Sequence, residues 1–265
     1  MNYNFLNKFL LKNVTKYFPK TLNRKIFRKY KIFFVPTNLK IIPKSFYPIS
    51  TNINLQQDLI YKYNLKKKLI NATTKTNLDL FLLNLYKKTS FSFLDIGGDN
   101  IDLYMHLNKK LNISQFFLYN FLPLISIFKK IKLKFLFNNF LPLININLIK
   151  RVDFVYFGSC IQYFKNYKTF LLSIFKKKPM YIFFAGTSFF YKKINSGTVV
   201  VKQTNILPNT IFLFFFNYDN FINFFYNNGY KLVYKHKNRT VKINYKNFTN
   251  MYGKIKYLDL MFEKI

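Results

Sequence analysis

The sequence predicts an α/β fold, with a largely parallel sheet and helices on both faces. Three observations lead there. From residue 76 onward, short apolar runs of strand length alternate with stretches of helical spacing. A chain with only seven glycines and nine acids gathers two of the glycines and three of the acids in "FLDIGGDNIDLYMHL", residues 93 to 107, where a strand would turn into a helix. Half of the 265 residues are hydrophobic, enough to bury a sizeable core.

Two parts are expected, an N-terminal extension over 1–57 and a domain over 58–265. The extension has no acid (Asp58 is the first) and eleven Lys or Arg. Phe5, Leu6, Phe9 and Leu10 share one helical face, and Lys8, Lys12 and Lys16 share another. Residues 1–20 therefore read as a basic amphipathic helix, suited to an anionic membrane surface or to packing on the domain behind it. Pro36, Pro43 and Pro48 predict irregular, extended chain. Leu78, Phe81, Leu82 and Leu85 predict a helix from Thr76, capped by Thr76 or Asn77.

The alternation then begins. "FSFLDI" reads as a buried strand. Ile101, Tyr104, Leu107 and Leu111 mark a helix. "SQFFLYN" and "KLKFLF" read as strands, as does "VDFVYF". Tyr167, Phe170, Leu171, Ile174 and Phe175 line a helix that Pro179 ends, and "MYIFFAG" is the next strand. A helix over 219–228 stops at Gly229. "YKLVYKH" and "KYLDLMFEK" close the chain as strands. Residues 111–128 hold eighteen uncharged residues, approaching a membrane span. Asn112, Ser114, Gln115, Asn120 and Pro123 interrupt them, which favours a strand, a loop and a helix.

The net charge of +34 points to a polyanionic partner, nucleic acid or anionic membrane, or to the coding bias of an AT-rich genome. Heavy use of Lys, Asn, Phe, Ile and Tyr, with no Trp, suits the second. The single cysteine, Cys160, excludes an intramolecular disulfide framework and a thiolate zinc cluster. His106 and His236 are far apart, and no metal-ligand constellation is expected. A reducing, cytoplasmic location fits, peripheral to a membrane if residues 1–20 bind one; an organellar matrix is the alternative.

In an open parallel sheet, ligands bind at the carboxyl ends of strands, where the strand order reverses. A strand, an acid, two glycines and a helix have the shape of a nucleotide site, because glycine lets the backbone approach a ligand closely. Asp95, Gly97 and Gly98 supply this; a plain strand-to-helix turn capped by Asp99 or Asn100 is the competing reading. The window also resembles the first motif of Rossmann-like methyltransferases that use S-adenosylmethionine. Fifty-eight residues on, "VDFVYFGSCIQYFKNYKTFLLSIFKKKPMYIFF" is similar to that family's fourth strand, helix and fifth strand. The specific resemblance is to a bacterial group, assigned as methyltransferases, with a "GG" first motif and an "LQY" motif after strand four. Its members are often associated with surface-polysaccharide gene clusters. "TSFF" at 187–190, after strand five, "FFYNNGYKLV" and "YLDLMFEK" continue the match, which spans roughly residues 76–265.

The resemblance implies a seven-stranded, mostly parallel Rossmann-like sheet with its last strand antiparallel. It implies a cofactor site at Asp95, Gly97, Gly98, Asn120 and Ser159. It implies an acceptor site at Gln162, Tyr163, Thr187 and Ser188, in loops after strands four and five. Tyr163 and His106 are the candidates for proton removal. The chain departs from the family where Asp99 and Ile101 replace small residues. Asn120 also stands where an acid usually holds the ribose hydroxyls, and an amide lacks that acid's charge. The implied activity is methyl transfer to a small molecule, with a sugar or glycan precursor as acceptor. Two rival readings are a basic RNA-binding protein on a decayed methyltransferase fold and a small membrane protein. The first rests on the charge and on 35 Phe and 21 Tyr, the second on residues 111–128.

Overall fold

The computed structural model describes residues 34–36, 77–98, 101–192, 197–203, 211–238, 245, 248 and 252–265. The amphipathic helix expected within residues 1–20 lies outside them, as do Pro43, Pro48 and Thr76. In chain order the elements are β1 (Phe34–Pro36), α1 (Asn77–Tyr86), β2 (Phe91–Ile96), α2 (Asp102–Asn108), β3 (Ile113–Tyr119), α3 (Leu122–Phe135) and β4 (Phe140–Leu143). Then come β5 (Phe154–Gly158), α4 (Tyr167–Phe175), β6 (Tyr181–Phe190), β7 (Thr198–Gln203), β8 (Ile211–Asn217), α5 (Tyr218–Tyr226), β9 (Tyr230–Lys237) and β10 (Ile255–Lys264).

Seven strands form the expected sheet, in the order β4-β3-β2-β5-β6-β10-β9. β2 to β6 are parallel, and β10 runs antiparallel to both of its neighbours. The chain winds outward from β2 to β3 and β4, then returns to place β5 on the other side of β2. The switch in strand order therefore lies between the carboxyl ends of β2 and β5.

The β2 sequence shows why its strand is buried on both faces. Phe93 belongs to the core under α1, α2 and α3, with Leu82, Tyr104, Leu107 and Phe128. Its neighbour Leu94 belongs to the core under α4 and α5, with Leu171, Ile174, Phe221 and Phe225. Successive side chains point to opposite faces, so a central parallel strand reads as a continuous apolar run. Phenylalanine fills these cores by stacking: Phe93 lies 5.0 Å from Phe116 and 5.4 Å from Phe154, and Phe157 lies 4.6 Å from Phe184. Truncating Phe93 to Ala would cost about 3–5 kcal/mol.

Three features bear on the expectations; the first and third differ from them, and the second agrees. "KLKFLF" is not a strand. Pro123 occupies the first turn of α3, and the helix runs on through Leu124, Ile125, Phe128 and Ile131, all buried, to Phe135. Leu136 ends it in a left-handed conformation. The strand is the next segment, "FLPL", at the sheet edge, where a proline is tolerated. Second, the eighteen uncharged residues 111–128 divide between β3 and α3. No helix among the described residues is long and apolar enough to cross a membrane.

Third, the sheet has ten strands among the described residues. β1, β7 and β8 form an antiparallel extension that joins the end of β6 through β8, and three residues of the stretch read as an extension thus belong to this sheet. A bulge makes the junction. Leu258 pairs with Thr187 and Leu260 with Phe184, so Ala185 and Gly186 face Asp259 alone. Gly186 takes a φ of 60°, which suits glycine. Before the bulge β6 pairs with β5; after it, Phe189 and Phe190 pair with β8.

Candidate functional site

The glycine turn sits at the switch point. Gly97 has a φ of 77°, and its N–H donates to the Tyr119 carbonyl at 2.9 Å. A Cβ on Gly97 would lie 2.7 Å from the Cys160 Cβ, and one on Gly98 would lie 2.3 Å from Asp95 Oδ2. The pair therefore lets β2, the start of the β5 turn and a buried carboxylate close on one another. Asp95 is 3% exposed and stands in register with Tyr156 of β5. The Cys160 thiol donates to the Ile96 carbonyl at 2.9 Å. Burial, then the nearby Asp95, pushes that thiol well above its usual range, and the same two causes raise the Tyr156 phenol.

Asn120, just past β3, ties this turn to the next strand. Its Nδ2 donates to the Gly98 carbonyl at 2.7 Å, and its Oδ1 accepts from the Phe121 N–H at 2.8 Å. A carboxylate could not make the first bond. An amide has two N–H groups and two lone pairs, so one of each remains for a hydroxyl. Ile101, where the family pattern has a small residue, is fully buried and plugs the core beneath α2.

After β5 the chain turns sharply. Ser159 takes a φ of 56°, a left-handed conformation uncommon outside glycine. Three contacts hold it: its N–H donates to the Ala185 carbonyl at 2.8 Å, its Oγ donates to the same carbonyl at 3.0 Å, and the Tyr257 hydroxyl lies 3.1 Å from Oγ. The serine proton is committed to Ala185, so Tyr257 is the donor to Oγ. Gln162 donates from Nε2 to the Ser159 carbonyl at 2.6 Å. It is 7% exposed, and its Oε1 meets no partner among the described residues. The Tyr163 hydroxyl donates to Gln203 Oε1 of β7 at 2.7 Å.

Thr187 and Ser188 are strand residues, not loop residues as expected. The β8–β7 extension and β10 continue the sheet past Gly186, which carries β6 through "TSFF". Thr187 is fully buried, and its Oγ1 meets no partner among the described residues. The Ser188 hydroxyl pairs with that of Tyr245 at 2.9 Å. His106 stands apart. It lies in the last turn of α2 and is hydrogen-bonded to Asp79 of α1, with Lys110 3.3 Å away. That contact ties two helices together on one face of the sheet.

Sequence reasoning missed the β10 contribution. Asp259 Oδ1 accepts from the Gly186 N–H, which the bulge leaves without a strand partner, at 2.7 Å, and from Asn238 Nδ2 at 2.8 Å. With Tyr257 on Ser159, β10 braces the turns after β5 and inside β6. The signal was present: an acid inside an apolar strand, in a chain with nine acids, needs a specific partner. Among the described residues, no three His, Cys, Asp or Glu side chains group as metal ligands would.

No protein-family model matches the chain, and no curated protein matches it. Solved structures do. The 1,6-didemethyltoxoflavin-N1-methyltransferase of Burkholderia thailandensis, bound to 1,6-didemethyltoxoflavin and S-adenosylhomocysteine, is similar over 87% of this chain and 94% of its own, with a TM-score of 0.50 and 11% identity. An S-adenosylmethionine-dependent methyltransferase from Mesorhizobium loti aligns over 71% of this chain and 97% of its own, with a TM-score of 0.48 and 7% identity. With its strand order, antiparallel β10 and two helical layers, the chain has the Rossmann-like fold of the Burkholderia enzyme.

Proposed function

We propose that the chain is an S-adenosylmethionine-dependent methyltransferase. The observation that carries this is the glycine turn at the switch point of this strand order, with buried Asp95 beneath it. The residues present fit the cofactor. Gly97 and Gly98 keep side chains away from the turn, Asn120 retains one donor and one acceptor, and the Gln162 Oε1 acceptor has no partner among the described residues. Asp95, Gly97, Gly98, Asn120 and Ser159 would hold the cofactor, which supplies an electrophilic methyl group on a sulfonium.

For the acceptor we propose a hydroxyl of a sugar or glycan precursor, bound at Gln162 and Tyr163; Thr187 and Ser188, buried within β6, are not assigned to it. The "GG" turn and the "IQY" after β5 support it through their resemblance to the polysaccharide-associated group; the fold itself does not select an acceptor. Methyl transfer is an in-line displacement, so positioning is a large part of the work. The Tyr163 hydroxyl donates to Gln203 of β7, which fixes the ring beside the turn after β5. Tyr163 thus orients the acceptor. His106, engaged with Asp79 between two helices, is not assigned to proton removal.

Calorimetric titration with S-adenosylmethionine tests the reading. Saturable binding is expected in the wild type and its loss in folded Asp95→Ala and Gly97→Val variants. A folded wild-type protein that does not bind would overturn it.

A further inference from the structure

The opposite edge of the sheet carries a surface of a different kind. Each turn that feeds β2, β3, β5 and β6 contains adjacent basic residues: "KK" at 87–88, "KK" at 109–110, "KR" at 150–151 and "KKK" at 176–178. All nine are exposed except the half-buried Lys177. The segments that leave β2 and β3 at the other edge, "GGDNI" and "NF", have no basic residue.

Cations near helix C-termini are favourable, which explains three of these clusters individually. The parallel topology then brings them together, because every helix that precedes a parallel strand ends at the same edge. Backbone hydrogen bonds join one turn to the next. Phe91 donates to Asn112, Val152 to Lys177, Lys264 to Met180 and Ile265 to Gly229, at 2.8–3.4 Å. The row spans six neighbouring strands, about 24 Å at roughly 4.8 Å per strand. The acids along it are engaged: Asp153 by Ser92, Asp79 by His106 and Glu263 by Lys231.

Large aliphatic side chains stand out of the same edge. Leu133 and Leu136, at the end of α3, are 74% and 80% exposed, and Ile265 is 69% exposed; Met180 is exposed beside it. We infer that this amino edge docks on an anionic lipid bilayer. Lysines meet the headgroups, and Leu133, Leu136, Met180 and Ile265 enter the boundary with the acyl chains. Base stacking on nucleic acid would call for exposed aromatic rings, and the only large aromatic exposed among the described residues is Tyr226. Docked this way, the glycine turn faces the aqueous side, so a soluble acceptor reaches it unobstructed.

Vesicle co-sedimentation of the full chain tests this, with phosphatidylcholine vesicles with and without phosphatidylserine. One variant carries Lys88→Glu, Lys109→Glu, Lys150→Glu and Lys176→Glu. A control of equal charge change carries Lys165→Glu, Lys168→Glu, Lys237→Glu and Lys254→Glu, all on the carboxyl side. Thermal melts confirm that both fold. The amino-edge variant is expected to bind phosphatidylserine vesicles at least about a hundredfold more weakly than the wild type, and the control far less so. Leu133→Ser with Ile265→Ser is expected to weaken binding severalfold at high salt, where charge is screened. Equal losses in both charge variants, or undiminished binding by the amino-edge variant, overturn the proposal. So does an amino-edge loss seen with a single-stranded RNA oligonucleotide but not with vesicles.

Discussion

The two edges of this sheet are built from the same strands, yet they solve opposite problems. At the carboxyl edge the chain closes tightly on itself. Gly97 meets Cys160, Gly98 meets Asp95, Ser159 is held in a left-handed turn, and Asp259 takes up the N–H that the β6 bulge releases. At the amino edge the turns are open, charged and exposed. One acid there, Asp153, makes a comparable latch: its carboxylate accepts from the Ser92 N–H at 2.8 Å and hydroxyl at 2.7 Å, and its own N–H donates to Ser92 Oγ at 3.0 Å. Most acids of the chain that lie in the sheet thus act as latches between strands. The carboxyl-edge latch, Asp259, braces the turns proposed to hold the cofactor, and the amino-edge latch of Asp153 aligns β2 with β5.

The largest effect should come from closing the glycine turn. Gly98→Val places a side chain where Asp95 Oδ2 now lies and is expected to weaken S-adenosylmethionine binding by at least about a hundredfold, or ~2.7 kcal/mol, by calorimetry. Retained affinity in a folded variant would remove the turn from the site.

Next are the two latches. Asp259→Ala and Asp153→Ala each leave a backbone N–H without its charged acceptor, and each is expected to lower stability by about 2–3 kcal/mol in urea titrations. Only Asp259→Ala should also weaken cofactor binding. Equal effects on binding would erase the distinction between the edges.

A pH series reads the closed edge another way. Tyr156, Tyr245 and Tyr257 have phenols raised above their ordinary value of 10.0 by burial, so the folded state keeps protons that the unfolded chain releases. Stability is therefore unaffected by them below about pH 10 and falls as pH rises above it, by at most about 1.4 kcal/mol per pH unit for each. Denaturant titrations at pH 9, 10 and 11 check this. The raised Cys160 thiol should alkylate at least about tenfold more slowly at pH 8 in the folded protein than in denaturant, and more slowly still with cofactor bound.

The smallest effect belongs to His106→Ala. It removes a contact between α1 and α2, about 1 kcal/mol, and should leave binding within about twofold.

How legible these features were depends on whether their cause is local. α1, α2, α4 and α5 follow from apolar residues at helical spacing, and β2, β3, β5, β9 and β10 from short apolar runs. "KLKFLF" misled because the end of an amphipathic helix and a short strand share an alternating pattern over six residues, and the deciding residue, Pro123, lies nine positions upstream. β7 and β8 were missed although "TVVVKQ" and "IFLFFFN" are rich in strand-forming residues, because the expected topology had no place for them. The glycines and Asp95 stood out against a background poor in both. Asp259 did not, because its partner, the Gly186 N–H, is 73 residues away and is freed only by a bulge.

The sequence by itself determined the two-layered α/β character, the glycine turn at the end of β2 and the basic clusters in the turns. Each depends on residues within one or two helical turns of chain, where spacing and backbone freedom act directly. Tertiary structure alone decided which turns share an edge, that Thr187 and Ser188 lie inside a strand, and that Tyr257 and Asp259 brace the site. It also separated His106 from the site. Those outcomes depend on which strands become neighbours, and strand pairing is settled by burial and hydrogen bonding across the whole sheet, beyond the reach of any local pattern.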